Sequence, residues 1–433
     1  SYDILGEGAR SDAQAKGYVE AYHDAIGKIG EGAKGLPLFA APSISVKLSA
    51  LHPRYSLPKQ ERVLGELLPR LKGILLKARE HNLTVSIDAE EANRLDIELL
   101  LFETLLADPD LASWNGIGFV LQAYQKRAFY VVDYLAGLAR THKRVLPLRL
   151  VKGAYWDSEV KHAQMMGLPG YPVFTRKEHT DLSYLACADK MLAASDCFYP
   201  QFATHNARTI ASIRARAKRY GLSRDQYEFQ RLHGMGEKLH GMLLAENHSR
   251  IYAPIGEHKD LLAYLIRRLL ENGANTSFVH LLTDQATSLE ELLADPVAKA
   301  KAGLELTLPL PRDLYGDRKN SAGIDLGYLS MQPTLTKAAQ EAVPSIDKAA
   351  ITQAIATAHA AFPAWAARPV EERAAIIEKA GELIERDREA LHALLAAEGG
   401  KTTMDAIAEV REAVDFCRYY ATEAEHLDAH DLP

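Results

Sequence analysis

The 433-residue chain is 47% hydrophobic and 25% charged, a balance that excludes disorder and fibrous structure and allows two or three domains. Lys and Arg number 51 against 57 Asp and Glu, for a net charge of −6. With no basic run, that argues against a dedicated nucleic-acid binder or an electrostatic membrane anchor. Three cysteines without a CxxC pair fit a reducing compartment. No apolar stretch reaches the roughly 18 residues of a spanning helix, so a cytoplasmic location is expected.

In chain order, residues 1–42 read as a helical lead-in. Short apolar or β-branched runs then recur at Ile44–Leu48, Thr84–Asp88, Ile117–Gln122, Leu146–Val151, Gln201–His205, Tyr227–Leu232, Ile251–Pro254 and Ser277–His280. Amphipathic stretches separate them, among them 61–80, 94–106, 126–141, 181–194, 207–220 and 258–271. Eight strands alternating with helices over residues 43–285 predict an α/β fold, a (β/α)8 TIM-like barrel with flanking helices. Residues 286–345 read as a helix and an irregular linker, and 346–433 as a C-terminal helical segment. There an apolar stripe of Ile376, Ile377, Ala380 and Ile384 is expected to be buried.

Nearly every predicted strand ends on a polar residue: Lys47, Asp88, Gln122, Arg149 with Lys152, His205, Gln230 and Tyr252. In such barrels the C-terminal strand ends converge on the active site. A lysine inside an apolar strand needs a reason, and an anionic ligand supplies one. Arg267 and Arg268 bring two planar forks together, with Glu271 one turn on to orient Arg267, an arrangement suited to a carboxylate or phosphate. Arg149, Lys152 and Trp156 around Gly153 could hold a flat ring and a pyrophosphate, and Thr204, His205 and Asn206 add donors at the next strand end. Other motifs fail. Gly6-Glu7-Gly8 lacks the third glycine of a dinucleotide fingerprint, and Gly400-Lys401-Thr402 lacks the first glycine of a phosphate loop. His233, Glu237 and His240 lack zinc-site spacing, so no metal is expected. Two rivals remain open: a Schiff-base lyase or aldolase with Lys47 as nucleophile and Asp88 as proton shuttle, and a helical interaction fragment that the barrel merely supports.

The strings SVKLSALHPRY (45–55), IDAEEANRL (87–95), GFVLQAYQKR (118–127), RLVKGAYWDSEVK (149–161), QFATHNA (201–207), YEFQRLHGMGE (227–237) and YLIRRLLENGANTSFV (264–279) resemble the proline dehydrogenase domain of bacterial bifunctional proline utilization A. The resemblance implies a distorted barrel that binds FAD without a dinucleotide fold. It implies oxidation of L-proline to Δ1-pyrroline-5-carboxylate, with electrons passed to a quinone and a peripheral contact with the inner membrane in the full-length protein. Cyclic carboxylate analogues of proline would be further ligands. By the same match, Lys47, Arg267 and Arg268 would hold the proline carboxylate, and Tyr155, Leu232 and Tyr252 would shape the ring pocket. Asp88 would organise the site, and Glu7 would pair with Arg267. Gln122, Arg149, Lys152, Ala154, Trp156, Thr204, His205, Asn206, Gln230, Glu271 and Ser277 would line the FAD. Residues 361–421 resemble the opening helices of an aldehyde dehydrogenase module, which implies a chain truncated within that module.

Overall fold

The computed structural model describes residues 1–6, 8–256, 261–262, 265–266, 288, 290, 293–302, 308–332 and 347–429. Eight parallel strands close into a barrel in sequence order. They are β1 (Tyr2–Ile4), β2 (Ser43–Val46), β3 (Thr84–Ile87), β4 (Ile117–Gln122), β5 (Leu146–Val151), β6 (Phe198–Ala203), β7 (Glu228–Leu232) and β8 (His248–Ile255). Parallel strands covered on both faces need apolar, β-branched bodies, and every residue of β2, β3 and β4 is buried.

Helices return the chain between strands: α1 (Asp12–Glu31), α2 (Leu68–Glu80), α3 (Leu95–Ala107), α4 (Ala128–Thr141), α5 (Trp156–Met165), α6 (Lys177–Ala193), α7 (Ala207–Arg219) and α8 (Glu237–Leu243). The Ser11 side chain caps α1 by accepting from the Gln14 amide, one of the otherwise unsatisfied donors of a helix start. That helix buries Tyr22 and Ile26 in the barrel's hydrophobic core.

One expectation is corrected. Residues 1–42 are not simply a helical lead-in: Tyr2–Ile4 supplies a barrel strand, pairing with β2 (Asp3 opposite Ser45) and with β8 (Asp3 opposite Pro254). The Leu5 amide extends the ladder to Ile255 O at 2.7 Å. Three residues are too few to display strand periodicity, yet two open edges at the right spacing satisfy their backbone groups on both sides. The strand expected at Ser277–His280 lies outside the described residues.

The chain forms two compact units, residues 1–159 with 172–307 and residues 160–171 with 308–433. In the first, α9 (Pro296–Ala302) falls within the expected helical excursion after the barrel. The second contains α10 (Lys348–Ala366), α11 (Val370–Arg386), α12 (Arg388–Gly399) and α13 (Thr403–Ala429). The buried face of α11 is only partly the expected one: Ala380 and Ile384 are half-buried, but Ile376 and Ile377 are 43% and 37% exposed, whereas Ala374 and Gly381 are buried. Small residues let α11 approach α13 closely. A Cβ built on Gly381 would sit 3.0 Å from Cys417 Cβ, too near for a larger side chain without a shift. Cys417 is a packed residue of α13 with a free thiol.

Candidate active site

The strand ends assemble a buried ion network at one end of the barrel. Lys47 follows β2, and its ammonium pairs with Asp3 of β1 and lies 3.4 Å from Asp88 Oδ2, which follows β3. Asp88 Oδ1 accepts from Arg149 Nη1 at 3.0 Å, and Asp88 Oδ2 accepts from the Tyr252 hydroxyl at 2.8 Å. Arg149 also donates to Ser45 Oγ at 2.8 Å, and its guanidinium lies over the Tyr252 ring, 4.9 Å from the centroid. Tyr22 reaches in from α1 to accept the Lys47 amide at 3.2 Å. Lys47, Asp88, Arg149 and Tyr252, all named from strand ends, are thus brought into direct contact.

The electrostatics follow from burial and pairing. Burial alone would depress Lys47; Tyr252, Asp3 and Asp88 outweigh it and hold the ammonium's pKa well above its ordinary value. Burial also pushes Asp88 up, but Lys47 and Arg149 prevail and hold it below the usual carboxylate range. In Asp3 burial prevails over Lys47, with Asp88 adding repulsion, so that carboxyl is raised. The opposite directions of the two carboxylates reflect their partners, since Asp88 has a guanidinium against it as well as Lys47, whereas Lys47 is the one cation paired with Asp3 among the described residues. A lysine held charged in this way is a poor nucleophile, which does not favour the Schiff-base reading.

A second network lies along β6–β8. Glu228 is held by Arg250 through Nε at 2.8 Å and Nη2 at 2.9 Å, while Gln201 and Gln230 donate to its Oε1 at 2.9 and 2.7 Å. The Oε1 atoms of Gln201 and Gln230, like Arg149 Nε, are buried without a hydrogen-bond partner among the described residues. Buried polar atoms are normally satisfied, so these three leave hydrogen-bonding capacity open inside the barrel.

The remaining predicted residues fall as follows. Gln122 donates to Glu90 O at 2.8 Å. Lys152 pairs with Asp181, which Lys177 also meets at 2.7 Å. Gly153 has a φ of +140°, and a Cβ there would lie 2.5 Å from the Tyr124 ring, so only glycine fits. Ala154 and Tyr155 continue that loop, with Tyr155 O accepting the Glu159 amide at 2.9 Å. Trp156 is 38% exposed and donates its indole N–H to Phe174 O at 2.9 Å. Thr204 Oγ1 accepts the Asn206 amide at 3.1 Å, and Asn206 caps α7 by accepting from Thr209. The Leu232 amide donates to His205 Nε2 at 3.2 Å, which joins two more of the predicted residues. His240 meets Ser249 Oγ at 2.7 Å and Thr204 O at 3.0 Å, so both ring nitrogens are engaged. Glu7, Arg267, Arg268, Glu271 and Ser277 lie outside the described residues.

Sequence reasoning missed Asp3, Ser45, Tyr22, Gln201, Glu228 and Arg250. Asp3 carried a usable signal, an acid between Tyr2 and Ile4, of the same kind that marked Lys47.

A closed eight-stranded barrel whose strand ends carry a buried, charge-balanced polar cluster belongs with the barrel enzymes. Within that class the family is defined: residues 1–281 match the proline dehydrogenase family and residues 326–433 the aldehyde dehydrogenase family. The chain belongs to the proline dehydrogenase family. It is 49% identical to the bifunctional protein PutA of Klebsiella aerogenes over 473 aligned residues, covering 97% of this chain and 36% of that protein. The proline dehydrogenase of Deinococcus radiodurans is 29% identical, covering 64% of this chain and 79% of that one. A solved structure of a Bradyrhizobium japonicum proline utilization A mutant superposes with a TM-score of 0.92 at 47% identity, over 99% of this chain and 44% of that chain. The chain thus spans little more than a third of the length of its bifunctional relatives.

Proposed function

We propose that this chain oxidises L-proline to Δ1-pyrroline-5-carboxylate, with FAD as cofactor and a quinone as final electron acceptor, the first step of proline catabolism to glutamate. The carrying observation is Lys47, a buried ammonium held charged at the barrel mouth beside Arg149 and Tyr252, in a chain of the proline dehydrogenase family. One solved relative has proline bound in remote sites, which agrees with the substrate class.

The residues present suit a flavin. Among the described residues Arg149 Nε is an unmet donor and Gln230 Oε1 an unmet acceptor, a complementary pair suited to an isoalloxazine edge of alternating acceptors and N–H groups. The Gly153 loop leaves its backbone open to close approach. Gln122, Arg149, Lys152, Ala154, Trp156, Thr204, His205, Asn206 and Gln230 would hold the FAD, together with Glu271 and Ser277. When bound, FAD supplies the two-electron acceptor at N5.

Lys47 binds the proline carboxylate, with Arg267 and Arg268 as further cations. Tyr252, fixed by Asp88 and stacked under Arg149, sets one wall of the ring pocket, with Leu232 and Tyr155 shaping the rest. Asp88 keeps Lys47 and Arg149 in place without touching the reacting carbon, and Glu7 pairs with Arg267. Anchoring the carboxylate fixes the ring carbon next to nitrogen in one position, where most of the rate gain from orientation arises. Among the described residues no helix is long and apolar enough to cross a membrane. Delivery of electrons to a quinone calls for a peripheral contact with the inner membrane, and the proposed location is its cytoplasmic side. An absorbance spectrum tests the reading. The purified protein should be yellow and should bleach when proline is added without air; a colourless protein, or one whose colour proline leaves unchanged, would refute it.

A further inference from the structure

The carboxylate of Glu228 gathers donors from three strands inside the barrel. Its Oε1 accepts from Gln201 of β6 at 2.9 Å, from Gln230 of β7 at 2.7 Å and from Arg250 Nε of β8 at 2.8 Å, while Oε2 takes Arg250 Nη2 at 2.9 Å. The strand register brings them together, with Gln201 opposite Glu228 and Gln230 opposite Arg250. Arg250 is itself fixed, since its Nη1 donates to Ala41 O at 2.7 Å and its Nη2 to Phe39 O. Glu228 and both glutamines are buried. A carboxylate paired with a guanidinium only accepts. The Gln230 amide must therefore turn its NH2 group to Glu228, because the flipped amide would set two acceptor oxygens 2.7 Å apart. Along β7 residues two apart share a face, so Gln230 stands on the same side as Glu228 and nearer the C-terminal strand ends, where the site lies.

We infer that Glu228 is a positioning residue for the flavin: it locks the Gln230 amide with its carbonyl oxygen presented to an isoalloxazine N–H, and through that contact it tunes how readily the flavin takes up electrons. The inference deepens the flavin reading above and rests on it. Glu228 acts through one amide and not on the reacting atoms. A negative group against the NH2 end polarises the carbonyl end, and an acceptor strengthened in this way raises the electron density of the ring it meets. Two further electrons are then less welcome, and the potential is held down. An amide able to turn over would offer the ring a donor instead, with the opposite effect. Arg250, anchored on the Ala41 and Phe39 carbonyls, keeps the carboxylate from following the amide if it turns.

Spectroelectrochemistry on the flavin-loaded protein tests this through a double-mutant cycle. The side chain introduced by Glu228→Gln can accept or donate, so the Gln230 amide is no longer held one way round. The flavin midpoint potential should rise by at least about 20 mV, the equivalent of a roughly fivefold change in the two-electron equilibrium from one hydrogen bond. In the Gln230→Met background the same substitution should raise the potential by that much less, because the amide it acts through is gone. An unchanged potential in Glu228→Gln would overturn the inference while leaving the flavin reading intact. So would an identical rise in both backgrounds, which would mean that the carboxylate acts by its charge through space. Should Glu228→Gln not fold, Glu228→Asp takes its place in the cycle, since it keeps the charge opposite Arg250 but shortens the reach towards Gln230. A folded protein that takes up no FAD would overturn the flavin reading, and the inference with it.

Discussion

The barrel and the helical unit each contain a network of arginines and carboxylates, and their differences separate a site from a clamp. In the helical unit, Glu385 of α11 accepts from the Ala322 amide and from Arg418 Nη2 at 2.9 Å and Arg312 Nη2 at 3.1 Å. Asp415 of α13 accepts the Ser321 amide at 2.6 Å and its hydroxyl at 2.8 Å. Each of those carboxylates accepts one backbone amide besides its side-chain donors, and together they fasten residues 321–322 to the helices. In the barrel, Lys47, Asp3, Asp88 and Arg149 face one another across four strands, and Arg149 Nε has no hydrogen-bond partner among the described residues. A network that ties a segment's backbone to helices holds the fold, whereas one in which side-chain charges face one another at the strand ends stands where a ligand can meet it.

That contrast can be broken. Lys47→Met leaves Asp3 and Asp88 buried without the cation between them, and such loss of one partner costs about 3 to 5 kcal/mol. Denaturant unfolding should show that loss together with the disappearance of proline turnover. Glu385→Ala should cost less, about 2 kcal/mol, by orphaning one amide and two guanidinium groups. The flavin spectrum and the apparent Michaelis constant for proline should not move; if they do, the clamp is coupled to the site and the contrast fails.

The smallest effect is in pH dependence, and the two barrel carboxylates have opposite signs. Asp88 is held below its unfolded value by Lys47 and Arg149 against burial. Its contribution is therefore fully present above about pH 4 and is lost as pH falls through the folded pKa. Asp3 is raised by burial, so the folded state binds its proton more tightly and stability declines as pH rises from the unfolded towards the folded value. Unfolding followed against pH should show the acid limb shrink in Asp88→Asn and the decline above about pH 4 shrink in Asp3→Asn. The reverse pattern would mean that the two roles are exchanged.

How much of this could be read from the chain depends on the range of the signal. Strands β2 to β8 were legible, with boundaries shifted by up to three residues, because each is an apolar run long enough to register. Lys47, Asp88, Arg149 and Tyr252 stood out because a polar residue at the end of such a run has no local reason to be there. In the tail the helical character of residues 346–433 was legible, but the buried face of α11 was legible only in part. Close helix approach selected Ala374 and Gly381 over Ile376 and Ile377, and hydrophobicity alone ranks those pairs the other way.

By itself the sequence determined the alternation of strands and helices, the polar strand ends and the motif order that marks the family, since these depend on neighbours a few residues apart. Tertiary structure alone decided that Tyr2–Ile4 closes the barrel, because three residues carry no period and become a strand only between two open edges. It also decided which charges meet. Asp3 and Lys47 are 44 positions apart and Tyr252 and Asp88 are 164 apart; only the closed ring of strands brings each pair within hydrogen-bonding reach and removes the water that would otherwise separate their charges.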